Sequence, residues 1–92
     1  MLSLNNNDTK ILRENFSDEQ IVKLNTDNVN AIYNFLENEG VYFAKDIFLY
    51  YMNLFLYPIE TFIDRFKKLE MENGDNYVEI LAKDISLLSG ME

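Results

Sequence analysis

The stretch VYFAKDIFLYYMNLFLYPIETFIDRFKKL, residues 41 to 69, decides how this chain folds. It contains nine of the thirteen aromatic residues and also the only proline, Pro58. Inside a helix, a proline removes one hydrogen bond and clashes with the preceding turn, at a cost of about 3 kcal/mol, whereas at the first turn it costs little. Pro58 therefore predicts two helices, one from about Tyr42 to Phe55 and one from Pro58 to about Glu70.

The first of these helices is apolar at nearly every position, which is typical of a buried central element. The longest apolar run of the chain, Ile47 to Tyr57, is interrupted only by Asn53. That run is shorter than the roughly 18 residues that a membrane-spanning helix needs. The sequence thus predicts a core helix, followed by an amphipathic helix with its apolar positions at helical spacing.

Helix start and stop signals recur on both sides of this stretch. Ser17-Asp18-Glu19-Gln20 has the pattern of a capping box, in which the serine and glutamine side chains each bond the other residue's backbone amide. We expect a first helix from about Asp8 to Glu14, a third capped by Thr26 or Asp27, and a last one capped by Asp75 and lined by Val78, Leu81, Ile85 and Leu88. Gly40 is the expected left-handed stop of the third helix, and Asn73-Gly74 ends the fifth.

These signals predict an all-α fold, a compact bundle of about six short helices. The domain is expected to span residues 8–92, preceded by a flexible N-terminal segment at residues 1–7. A chain of 92 residues has room for one core only.

Apolar positions in the two halves of the chain align when the sequence is shifted by about 33 residues. A period of this length is typical of stacked helical-repeat units. It overlays Leu36 on Leu69, Ile47 on Ile80, Phe48 on Leu81, Leu54 on Leu87 and Phe55 on Leu88. The overlay therefore predicts two stacked repeat units. Amphipathic helices of similar length can also be overlaid by chance, so both interpretations stay open.

One family pattern resembles this spacing. The residues that carry it are Phe35-Leu36-x-x-x-Gly40, Asp46-Ile47, Leu54-Phe55-Leu56, Ile59-Glu60, Arg65-Phe66 and Leu69. The pattern resembles the repeat of the mitochondrial transcription termination factor family, across roughly Asn15 to Leu88. The resemblance implies helical hairpins stacked into a curved superhelix that binds double-stranded nucleic acid along a basic face. Family members usually carry a proline before the paired leucines, and Asn53-Leu54 lacks it.

Sixteen acidic and eight basic side chains give the chain a net charge of −8. Such a field repels phosphate backbones and anionic membranes, and it favours either solubility alone or a partner with a basic surface. The chain has no cysteine, which fits a reducing compartment, and no secretory signal pattern, so we expect a cytoplasmic protein.

Histidine and cysteine, the usual general bases and nucleophiles, are both absent. We therefore expect no enzyme, no catalytic residue, no cofactor, no metal and no small-molecule substrate. Glu70-x-Glu72-Asn73-Gly74-Asp75 gathers oxygen ligands around a glycine, but its spacing does not match that of a calcium loop. A helix end followed by the next cap explains that cluster better.

Aromatic residues at helical spacing most often lie in a core, but tyrosine is also common at protein interfaces because it joins apolar area to a polar tip. The chain has more tyrosines in its central stretch than a small interior readily holds. The candidate partner-binding residues are Tyr42, Tyr50, Tyr51, Tyr57, Glu37, Glu39, Glu70 and Glu72.

A basic cluster offers the alternative site. The candidate nucleic-acid-binding residues are Arg65, Lys67, Lys68 and Lys83. Phosphate binding usually draws on more cations than this, and cations late in a helix also complement its negative end.

The favoured hypothesis is a small non-enzymatic interaction module that docks on a basic protein surface or on a second copy of itself, as an inhibitor or adaptor. A sharper version is a nucleic-acid mimic of the kind that phages and mobile elements encode. The alternative is a miniature nucleic-acid-binding repeat of the termination-factor type. No membrane partner is expected.

Overall fold

The computed structural model describes residues 2–91, and every regular element within them is helical. The all-α bundle of about six short helices is confirmed. The elements are α1 (Asn6–Asn15), α2 (Asp18–Val22), α3 (Thr26–Asn38), α4 (Ala44–Tyr50), a first 3₁₀ helix (Met52–Leu56), α5 (Ile59–Asn73), α6 (Tyr77–Lys83) and a second 3₁₀ helix (Ile85–Met91).

Helix α1 begins two residues before the predicted start at Asp8. The Asn5 side chain accepts from the amide of Asp8, and the Asp8 carboxylate accepts from the amide of Asn5, which makes a capping box. Asn6 and Asn7, predicted to belong to a flexible segment, therefore lie in the first turn of α1.

Other local signals act close to where the sequence places them. The capping box of Ser17 and Gln20 is confirmed at the start of α2. Helix α3 is capped by Asn25, whose side chain accepts from the amide of Asn28, so the predicted caps Thr26 and Asp27 are wrong by one or two residues. Gly40 has a φ of +86°, which confirms the left-handed stop.

Pro58 divides the central stretch as predicted, because α5 begins directly after it. The segment before it is not one helix, however. Helix α4 ends at Tyr50, and Tyr51, with φ −131° and ψ 41°, turns the chain into the first 3₁₀ helix. A straight helix would leave part of this apolar run in water, whereas the bend also buries Met52 and Leu54.

The last predicted helix is broken in the same way. Helix α6 ends at Lys83, Asp84 leaves the helical conformation with φ −144° and ψ 83°, and the second 3₁₀ helix follows. The N-cap of α6 is Asn76 and makes no side-chain bond, so the predicted cap at Asp75 is wrong.

The core is built around an aromatic cluster. The ring of Phe35 on α3 meets Phe62 and Phe66 of α5 edge to face, at centroid distances of 6.1 and 5.5 Å. Phe66 in turn meets Tyr77 of α6 at 5.5 Å. Such pairs add about 0.5–1.5 kcal/mol each beyond the area that they bury. This cluster joins α3, α5 and α6 into one core.

The second half of the fold repeats the element order of the first. Equivalent elements of the two halves begin at a constant offset along the chain. Helices α3 and α5 begin at Thr26 and Ile59, helices α4 and α6 begin at Ala44 and Tyr77, and the two 3₁₀ helices begin at Met52 and Ile85. The residues that precede α4 and α6 also match, since φ and ψ are −102° and 27° at Phe43 and −93° and 17° at Asn76. The offset is that of the sequence overlay, and an origin in stacked repeat units stays a prediction.

Within residues 2–91, no helix is both long enough and apolar enough to cross a membrane.

Candidate functional site

The four candidate tyrosines differ in exposure. Tyr42 is 82% exposed and Tyr50 is 52% exposed. Tyr51 and Tyr57 are half-buried and pack against the core. Only the first two therefore have a ring that a partner can cover extensively.

Tyr57 has a structural role. The guanidinium of Arg65 lies 4.7 Å from the centre of its ring, within the range of a cation–π contact. Its carbonyl oxygen accepts from Asn28 Nδ2 at 2.7 Å, which ties the junction before α5 to the start of α3. Tyr57 is held as part of the bundle.

Tyr42 is exposed because of the turn that carries it. After the left-handed Gly40, the amide of Val41 donates to the carbonyl of Leu36 at 3.0 Å, and the Val41 side chain is buried. The next residue, Tyr42, lies outside the core. Its ring meets the edge of Phe43 at a centroid distance of 5.1 Å, so one aromatic neighbour supports it.

The candidate carboxylates fall into two groups. Glu39 is a hub whose Oε1 accepts from Lys67 Nζ at 2.7 Å and whose Oε2 accepts from the Tyr77 hydroxyl at 2.8 Å. Glu70 lies 3.4 Å from the same lysine. Glu39 therefore joins the end of α3 to α5 and α6, whereas the pair of Glu70 and Lys67 lies within α5. Glu37 and Glu72 are exposed.

The contacts of this hub shift the pKa values of Glu39 and Tyr77. The hydrogen bond from Lys67, and then that from Tyr77, lowers the pKa of Glu39 below its usual value, so the carboxylate is charged at neutral pH. Burial, followed by the bond to Glu39, raises the pKa of Tyr77, which keeps the phenol neutral. These bonds join the α3–α4 turn to α5 and α6.

A cavity of about 350 Å³ lies between the α3–α4 turn and the start of α6. Its lining residues are Glu39, Gly40, Tyr42, Asp75, Asn76, Val78 and Glu79. Asp75 and Glu79 are exposed carboxylates that the sequence did not indicate as site residues. We call this set the Tyr42 surface.

Arg65 and Lys68 line one cavity of about 380 Å³, but two of the four predicted basic residues bond within the fold. Arg65 Nη1 donates to the carbonyl of Met91 at 2.8 Å, and Lys67 is paired with Glu39 and Glu70. Lys68 and Lys83 are exposed. Two cations already serve the fold, which leaves little charge for a phosphate backbone.

Another ion pair stabilises the first half of the fold. Asp8 is buried, and its Oδ2 lies 3.0 Å from Lys45 Nζ on α4. The Asn5 amide, and then Lys45, lowers the pKa of Asp8. This ion pair joins α1 to α4.

Within the described residues, no group of three or more acidic, histidine or cysteine side chains is placed to hold a metal ion. No family model matches the chain, and neither a curated protein nor a solved structure matches it.

Proposed function

We propose that this protein is a non-enzymatic interaction module that binds a basic surface of a partner protein through the Tyr42 surface. The observation that carries the proposal is the exposure of Tyr42, at 82% of its surface, beside exposed carboxylates at a concave surface. Tyrosines in such positions are enriched at interfaces, because they contribute apolar area at a low cost in side-chain entropy.

Charge supports a basic partner. The chain carries −8, and Asp75 and Glu79 border the cavity beside Tyr42. Like charges across an interface cost free energy, whereas complementary charges speed association. A cationic protein surface is therefore favoured over an acidic one or an anionic membrane.

An inhibitor or adaptor fits this chemistry, and a nucleic-acid mimic is its sharper form. A mimic presents spaced carboxylates to a groove that normally binds phosphates, and Glu37 and Glu72 are exposed on the same small domain.

We also propose a cytoplasmic location, because the lack of cysteine fits a reducing compartment.

Binding of nucleic acid by a termination-factor-like repeat has less support, because Arg65 and Lys67 already bond within the fold. A mobility-shift series at low salt tests it, since a domain with few free cations binds best there. We expect no shift even at the lowest salt concentration.

The proposal is tested by capturing partners from the native host's lysate on the immobilised chain. We expect a basic protein to be retained, released by rising salt, and lost from Tyr42→Ala and from the double variant Asp75→Lys, Glu79→Lys, which reverses the two exposed carboxylates of the Tyr42 surface. The double variant Glu37→Lys, Glu72→Lys tests the nucleic-acid mimic, since these two exposed glutamates lie outside the Tyr42 surface. Retention that is equal in all these variants contradicts the proposal.

Val22→Ala is the matched control for Tyr42→Ala, since Val22 is 78% exposed and lies on α2. It removes an exposed apolar side chain away from the carboxylates of the Tyr42 surface. Sedimentation of the same samples measures self-association, and a dimer that Tyr42→Ala dissociates would replace the partner protein by a second copy.

A further inference from the structure

The two short helices α4 and α6 are equivalent in the order of elements, but they are not covered equally. Helix α1 packs along one side of α4, where Asp8 pairs with Lys45 and Asn15 Nδ2 donates to the carbonyl of Leu49 at 3.3 Å. Lys45 and Leu49 are four residues apart and therefore mark one side of α4.

The corresponding side of α6 is open. Val78 and Ala82 are the equivalents of Lys45 and Leu49 in the second half, and Ala82 is exposed where Leu49 is 2% exposed. The elements that pack closely on α6 are α5 and the second 3₁₀ helix. Val78 lines the cavity of the Tyr42 surface, so this cavity lies where α6 lacks a full covering.

The chemistry of the opening selects its occupant. The Tyr42 ring and Val78 provide apolar walls, and Asp75 and Glu79 provide two exposed carboxylates at its border. An occupant needs an apolar stem and a cationic end, which describes the side chains of arginine and lysine. Charge complementarity with a chain of −8 also requires a cation.

Arginine fits better than lysine. Its planar guanidinium stacks on an aromatic face and bonds a carboxylate through two donors, whereas an ammonium is a strongly hydrated point charge. The fold itself contains part of such an arrangement, because the Arg65 guanidinium lies 4.7 Å from the centre of the Tyr57 ring while its Nη1 donates to the carbonyl of Met91. In contrast to the Tyr57 ring, the Tyr42 ring is largely exposed, so a guanidinium of a partner can reach it.

We infer that the partner inserts an arginine of a basic segment between Tyr42 and the start of α6, with the guanidinium stacked on the Tyr42 ring and bonded to Asp75 or Glu79. This inference rests on the proposed function and names the group that the Tyr42 surface recognises.

The test is a titration of the full ¹⁵N-labelled chain, followed by amide chemical shifts at low salt. The probes are a twelve-residue peptide with four arginines among alanines and the same peptide with lysines in their place. We expect saturable shifts that concentrate at the α3–α4 turn and at residues 75–79, with the lysine peptide weaker by about two- to fivefold.

Two variants localise the effect. Tyr42→Ala is expected to remove the preference for arginine, and Asp75→Asn to weaken both peptides. Glu60→Gln is the control, because it removes one exposed carboxylate from the first turn of α5. Shifts spread evenly over the acidic surface, equal affinity for both peptides, or a Glu60→Gln loss as large as that of Asp75→Asn would each overturn the inference. Salt-sensitive capture of a basic protein would then still support the proposed function.

Discussion

The two halves of this protein, residues 26–56 and 59–91, share an order of elements but differ in how they are covered. In each half a long helix, a short helix and a 3₁₀ helix contact one another, and all three elements of the second half begin at the same offset from those of the first. In the first half, Ile32, Ile47 and Met52 are fully buried. The equivalent residues of the second half are less so, since Arg65 is exposed and Ile80 and Ile85 are half-buried.

The same order of backbone elements is therefore compatible with one enclosed half and one more open half. The first half is enclosed, because α1 packs on α4 and Asp8 pairs with Lys45 there. The second half keeps the aromatic contacts that join it to α3 but leaves one side of α6 open beside Tyr42. We expect the first half to dominate stability and the Tyr42 surface to dominate binding.

The largest expected effect comes from truncating one equivalent pair of residues in the two halves. Ile47→Ala opens a cavity at a fully buried position and should lower the free energy of unfolding by about 2–5 kcal/mol. Ile80→Ala should cost about 1–2 kcal/mol, because part of that side chain already meets water. Urea unfolding followed by circular dichroism measures both.

If Ile47→Ala does not fold, the pair Ile47→Val and Ile80→Val makes the same comparison at a cost of about 0.5–1.5 kcal/mol for the buried member. Equal losses at the two positions would contradict the difference in covering.

The next effect comes from the two left-handed glycines. Gly74, with φ 81° and ψ −168°, lies in a region that is essentially restricted to glycine, so Gly74→Ala should cost about 1–3 kcal/mol. Gly40→Ala, at φ +86°, should cost about 1–2 kcal/mol. No atom lies within 4 Å of an added Cβ at either position, so the loss reports backbone strain and not a clash.

Gly90→Ala is the control for this pair, because Gly90 also has open space around its Cβ position but is not among the glycines with positive φ. Thermal unfolding should leave Gly90→Ala within about 0.5 kcal/mol of the parent chain. A comparable loss in all three variants would show that φ is not the cause.

A smaller effect is expected at the hub that joins the halves. Glu39→Gln removes the charge that Lys67 and Tyr77 bond, and should cost about 1 kcal/mol at neutral pH. Because folding lowers the pKa of Glu39, the charge on Glu39 stabilises the folded state at pH values above the usual pKa of 4.5. This stabilisation is lost as the pH falls through the pKa of Glu39 in the folded state.

The difference in unfolding free energy between the parent chain and Glu39→Gln should therefore be constant from pH 6 to 8 and shrink in acid. The Tyr77 pKa is raised, so stability should also fall as the pH rises above 10. Glu37→Gln is the matched control, because Glu37 is exposed on the same helix. A difference that persists unchanged in acid would contradict the role of the Glu39 charge.

The smallest effect on stability is expected at the Tyr42 surface. Tyr42→Ala should change the free energy of unfolding by no more than about 0.5 kcal/mol, because the ring is largely exposed. Urea unfolding of this variant separates binding from folding. A loss as large as that from truncating a buried side chain would mean that Tyr42 supports the fold and not a partner.

The sequence predicts those parts of the fold that local chemistry controls. Pro58 and Gly40 restrict their own backbone, so the break before α5 and the end of α3 follow from single residues. The break at Tyr51 does not, because the residues on both sides are apolar and the bend is decided by what they pack against. The cap of α1 at Asn5 agrees with the spacing Asn5-x-x-Asp8, whereas the asparagine run by itself predicts a flexible segment.

The candidate site was only partly predictable, for a similar reason. The Tyr57 backbone is held by the hydrogen bond from Asn28, and its ring contacts the Arg65 guanidinium; both depend on how α3 and α5 pack. Asp75 and Glu79 lie at the Tyr42 surface because α6 begins beside the α3–α4 turn, where the Tyr77 hydroxyl bonds Glu39. These two bonded residues are 38 positions apart in the sequence. No spacing in the sequence indicates that meeting.

Photo-crosslinking tests the central claim most directly. A benzophenone amino acid is placed at position 42 in one sample and at position 50 in another, since Tyr42 and Tyr50 are the two largely exposed candidate tyrosines. Each sample is irradiated in native host lysate, and the crosslinked protein is identified by mass spectrometry. The account predicts one basic protein crosslinked from position 42 and little from position 50. Equal crosslinking from both positions, or crosslinking from position 50 alone, would contradict it.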